Sequence, residues 1–109
     1  MTPGDLRVLI AQGIGAPYLM PLIVDVLRTS PFIEGDLYPG DLLEAALTGP
    51  GAFYREHPEM GDAMVDIITR AHAALDMESG DYENNRGILA LAAPTFFKAI
   101  GRDAPGHSP

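Results

Sequence analysis

A chain of 109 residues has room for one hydrophobic core and not for a second independent fold. Apolar residues make up 47% of it, which sets it apart from disordered chains, yet no uninterrupted apolar run reaches the roughly 18 residues of a membrane helix. It has no cysteine, excluding disulfides, thiolate zinc sites and cysteine nucleophiles, and its fifteen acids against seven bases give a net charge of −8, a field that repels nucleic acid and attracts basic partners.

Thr2-Pro3-Gly4-Asp5 combines an N-cap hydroxyl, a proline suited to the first helical turn and an acid three residues on, and Leu6, Leu9 and Ile10 follow at helical spacing. This predicts a first helix over residues 3–12, stopped by Gly13 and Gly15. A second helix is expected over residues 17–29. Its Leu19, Met20, Leu22, Ile23, Val24, Val26 and Leu27 cover almost every face, the pattern of a buried central helix, and Ser30-Pro31 ends it. Residues 32–38 read as a connecting loop.

Pro39-Gly40-Asp41-Leu42 repeats the spacing of Pro3-Gly4-Asp5-Leu6, so a third helix is expected to start there and to turn Leu42, Leu43, Ala46 and Leu47 inward until Thr48-Gly49-Pro50-Gly51 breaks it. Phe53 and Tyr54 fall on a short turn or single helical turn. From Pro58 the pattern is strongly amphipathic, with Met60, Met64, Ile67, Ile68, Ala71 and Leu75 on one stripe and Glu59, Asp62, Asp66 and Arg70 opposite. Residues 76–86 are polar and acidic and read as a linker. Residues 88–100 are apolar again, and Pro94 is expected to split them into two short helical pieces that present Phe96, Phe97 and Ile100 to the bundle.

Catalytic patterns are incomplete. Residues 7–15 imitate the strand and glycine turn of a dinucleotide fold, but Tyr18 stands where the third glycine belongs and no second strand follows. Glu56, His57, Glu59 and His72 lack metal-ligand spacing, and Ser30, Ser79 and Ser108 fall in turns, linker or tail. No metal, cofactor or catalytic residue is assigned.

Charge is more informative in its placement. Residues 29–54 hold Glu34, Asp36, Asp41 and Glu44 with no lysine or arginine, and residues 71–85 hold Asp76, Glu78, Asp81 and Glu83, again without a base. Asp41, like Asp5, can serve a helix end instead of a partner. Glu34, Asp36 and Glu44 have no such local use. Tyr38 beside them is either an interface anchor or a staple onto the core.

Asp5-Leu6-Arg7, Gln12-Gly13-Ile14-Gly15, Tyr18-Leu19-Met20-Pro21-Leu22 and above all Glu34-Gly35-Asp36-Leu37-Tyr38-Pro39-Gly40-Asp41-Leu42-Leu43 resemble the bacterial contact-dependent growth inhibition (CDI) immunity proteins, over about residues 2–75. The resemblance implies a small cytoplasmic protein, with no catalytic residue, that binds and neutralises the C-terminal toxin domain of a delivered surface protein. The expected fold is thus all-α: a small orthogonal bundle of four to five helices with a buried central helix, residues 1–101 forming one immunity-type domain and residues 102–109 a flexible tail. The expected partner is a basic toxin domain, not nucleic acid or membrane, bound through Glu34, Asp36, Tyr38, Asp41 and Glu44. The alternative is a general helical interaction or scaffolding module using residues 88–100 as its contact. Met1-Thr2-Pro3-Gly4-Asp5 has no basic segment followed by a long apolar stretch, so no secretory signal is expected and the cytoplasm is the expected compartment.

Overall fold

The computed structural model describes residues 2–77 and 83–101. Among them are six helices and no strand: α1 (Pro3–Ala11), α2 (Ala16–Thr29), α3 (Asp41–Thr48), α4 (Gly51–Glu56), α5 (Pro58–Met77) and α6 (Glu83–Ile100). The fold is all-α, as the periodicity predicts.

Both ends of α1 follow from the local sequence. The Asp5 amide donates to Thr2 Oγ1 and the Thr2 amide to Asp5 Oδ2, each at 3.2 Å, closing a capping box with Pro3 in the first turn. At the other end the Gly13 amide reaches the Ile10 carbonyl at 2.9 Å and the Ile14 amide the Leu9 carbonyl at 3.0 Å, the paired bonds of a Schellman ending.

The packing differs from expectation in three places. First, α2 buries Ala16, Leu19, Met20, Ile23, Val24 and Leu27 but leaves Tyr18 and Leu22 exposed. It packs chiefly on α5 and α1, while α6 packs on α3, α4 and α5. The apolar residues of α2 wrap more than half its circumference, but neighbours cover only part of that. Second, Pro94 does not split the last segment. It lies inside the continuous helix α6 and is exposed, as is Ala90, whose carbonyl loses its helical donor to the proline and is left on the side facing water. Third, the polar stretch expected as a linker is helical at both ends, through Met77 in α5 and from Glu83 in α6. Its middle and the expected tail after Gly101 lie outside the described residues.

One core gathers side chains from all six helices. Tyr54 is at its centre, 1% exposed, with its ring edge-on to Phe96 at 5.1 Å. Burial pushes its hydroxyl pKa up, so the group stays a neutral donor. The hydroxyl donates to the Ala46 carbonyl at 2.6 Å. That carbonyl needs it, because the residue that would serve it within a helix is Pro50, which has no N–H. Tyr54→Phe is therefore expected to lower the unfolding free energy by about 1–2 kcal/mol in urea titrations, the cost of a buried carbonyl left without a donor. An unchanged midpoint would show that the carbonyl finds another partner.

Candidate functional site

The site is built on the loop of residues 30–40 and the first turn of α3. The loop folds back on itself: the Gly40 amide donates to the carbonyls of Phe32 (3.0 Å) and Ile33 (3.2 Å), and Glu34 pairs with Pro39 in an isolated antiparallel bridge. Gly40 is the N-cap of α3 at φ +86°, a backbone state that glycine adopts without penalty. A side chain there would also meet Ile88 Cδ1 of α6 at 2.7 Å. The two Pro-Gly-Asp-Leu segments thus differ in structure. Pro3 lies inside the first turn of α1, whereas Pro39 precedes the cap and α3 begins only at Asp41.

That two-residue offset gives Asp41 a different task from Asp5. Asp41 is 1% exposed and points back at the loop, accepting from the amides of Gly35 (Oδ1, 2.6 Å), Leu37 (Oδ2, 2.9 Å) and Tyr38 (Oδ2, 3.4 Å). It is a hub that fixes the loop, and its burial keeps it from direct contact with a partner in this conformation.

The acidic stretch lacks a base only along the sequence. Arg7 of α1 reaches it from 29 residues away, donating through both Nε and a terminal guanidinium nitrogen to the two carboxylate oxygens of Asp36, with its Nε 3.9 Å from Asp41 Oδ2. This fork holds the Asp36 carboxyl below its ordinary range and raises the Arg7 pKa. Tyr38 donates its hydroxyl to Glu44 Oε1, and this bond, more than burial, pushes the phenol up to about 12. Glu34 is exposed at the bridge. Of the five residues expected at the site, four are held by named partners that loop and helix bring together. Arg7 was not among them: it lies within the resembling segment, but no spacing rule ties it to position 36.

A stability component at Asp36 follows from the sign of its shift. A carboxyl whose folded pKa lies below its ordinary value of 3.8 stabilises the fold fully above that value and loses the contribution as pH falls through the lowered one. The thermal midpoint of the wild type is therefore expected to exceed that of Asp36→Asn at neutral pH and to converge on it in acid well below pH 3.8. A gap that persists in strong acid would show that the pair is not its source.

Beside this frame an open cleft of about 300 Å³ runs between α3 and α6, with Arg7, Tyr38, Glu44, Thr48 and Leu91 on its walls. Other motifs resolve differently. Residues 7–15 form the end of a helix and a turn, not a strand. The His57 ring stacks on Phe53 at 4.5 Å and lies 3.3 Å from Glu59. His72 is exposed on α5. The side chains of Asp76, Glu78, Asp81 and Glu83 lie outside the described residues.

The family model described as CDI immunity proteins matches residues 1–64. The chain belongs to this family. The match takes in α1 to α4, the whole loop and every side chain of the Arg7–Asp36–Asp41 and Tyr38–Glu44 groups. The α6 wall of the cleft lies beyond it. No curated protein and no solved structure matches the chain. Among the described residues, no helix is long and apolar enough to cross a membrane.

Proposed function

We propose that this CDI immunity protein acts in the cytoplasm as a stoichiometric inhibitor, binding the C-terminal toxin domain of the effector encoded beside it and having no catalytic step of its own. The observation that carries the reading is the family match together with the position of the pre-organised acidic loop inside the matched segment. Residues 1–101 are proposed as the binding domain.

The proposed interface uses Glu34, Asp36, Tyr38 and Glu44, with Asp41 positioning them from within. A rigid loop loses little conformational freedom on docking, and an acidic surface steers a basic partner and suppresses wrong ones. The partner is a basic toxin domain, not nucleic acid, in keeping with the net charge of −8. The scaffolding alternative has less support, because Ile88, Leu89, Phe96 and Phe97 face the core and Leu91 is the large apolar side chain that residues 88–100 leave exposed.

The test is binding of an inactivated toxin domain, with survival of cells producing both proteins. Reversing Glu34 and Glu44 to lysine is expected to slow association about tenfold at low salt and to flatten its salt dependence. Asp36 is left intact, since a lysine there would repel Arg7. Equal rates and equal protection would remove the acidic loop from the interface. Absence of any wild-type binding would remove the inhibitor reading.

A further inference from the structure

We propose that the cleft between α3 and α6 receives one lysine or arginine side chain of the bound toxin domain, its charge meeting Glu44 and its aliphatic stem lying between Tyr38 and Leu91. The inference rests on the toxin-binding reading and specifies the contact at its centre.

The charges around the cleft select the occupant. Asp36, Asp41 and Glu44 bring three carboxylates against the single guanidinium of Arg7. Arg7 is already engaged by the two aspartates, so an entering anion would find no free cation among the described residues lining the cleft and would meet Glu44. Glu44 accepts from the Tyr38 hydroxyl through Oε1, which orients the carboxylate and leaves its other oxygen available. An entering cation is thus offered a fixed acceptor.

The walls suit a long side chain with a charged end. Tyr38 supplies an aromatic ring, Thr48 a hydroxyl and Ala45 and Ala92 small apolar surface. Leu91 stands at the rim at 76% exposed, and Leu37, in the loop that carries Tyr38, is 59% exposed. An exposed apolar side chain such as Leu91 bordering a charged cleft matches the anatomy of an interface centre, where an anchor enters a pocket and apolar neighbours exclude water around it. A free small molecule fits less well, since the cleft is open and its volume of about 300 Å³ is at the low end for ligand pockets.

Two variants test this against the inactivated toxin domain. Glu44→Gln keeps an oxygen for the Tyr38 hydroxyl and removes the charge. Thr48→Lys places a lysine one turn after Glu44 at an exposed position, the favourable i,i+4 order, so that the protein fills its own cleft while α3 gains an ion pair. Both variants are expected to keep the wild-type melting temperature and to weaken binding roughly thirty-fold, mainly through faster dissociation. Glu34→Gln, outside the cleft, is expected to change affinity less than about threefold and to act on association. Wild-type affinity in either cleft variant overturns the proposal while leaving the inhibitor reading in place; a wild-type protein that does not bind the toxin domain overturns both.

Discussion

Asp41→Ala is expected to lower the unfolding free energy by about 3 kcal/mol, measured by urea denaturation at neutral pH. The carboxylate is the acceptor for three loop amides and lies 3.9 Å from the Arg7 guanidinium. Removing it leaves those amides facing a space where a side chain was, and an unsatisfied buried donor costs about 1–3 kcal/mol. The half-exposed loop admits some water, so the three losses do not add in full. Asp41→Asn retains one accepting oxygen and loses the charge, and the expected loss is about half as large. Equal stability of wild type and Ala variant would show that water replaces the carboxylate and that Asp41 is not the hub of the loop. The order Ala, then Asn, then wild type is the signature of charge-assisted bonds.

The all-α fold was legible because its elements carry strong local signals. The capping box at Thr2 and Asp5, the glycine stop after α1 and the one-sided stripe of α5 each depend on residues within a turn or two of one another. The site was legible only in part. Its acidic residues and Tyr38 share one short segment and could be read from it, but Arg7 belongs to another helix, and pairing across 29 residues leaves no periodic trace. The same limit explains why Asp36 and Glu44 looked free in sequence. It also explains the reading of α2 as central: composition shows that a helix is apolar on most sides, not which sides its neighbours cover. Pro94 misled for the opposite reason. The local rule against proline in helices is real, but the lost bond falls on a face where water can replace it, and buried Ile88, Leu89, Ala92, Ala93, Phe96 and Phe97 hold both halves of α6 to one core.

Gly49→Ala is the substitution whose sign best separates local propensity from packing. Gly49 follows α3 at φ −81° and ψ −59°, an ordinary right-handed conformation open to any residue. On backbone grounds alone alanine is expected to stabilise, because glycine loses more chain entropy on folding, by about 0.5–1 kcal/mol. The surroundings reverse this. A Cβ at position 49 would overlap the carbonyl oxygen of Ile10 and lie 3.1 Å from the Ile10 carbonyl carbon and 2.9 Å from the Ala45 oxygen. These are backbone atoms of α1 and α3 and cannot rotate aside, so α1 must move off α3. Overpacking usually costs about 1–3 kcal/mol, and a clash with two backbones is expected near the upper end, about 3 kcal/mol in urea denaturation. The displacement also reaches the site, because α1 carries Arg7 and α3 carries Asp41. Toxin binding is accordingly expected to weaken in Gly49→Ala even where the protein remains folded, although position 49 lies outside the proposed interface. A variant as stable as the wild type, with unchanged binding, would show that the two helices separate freely and that the α1–α3 contact does not set the geometry of the loop.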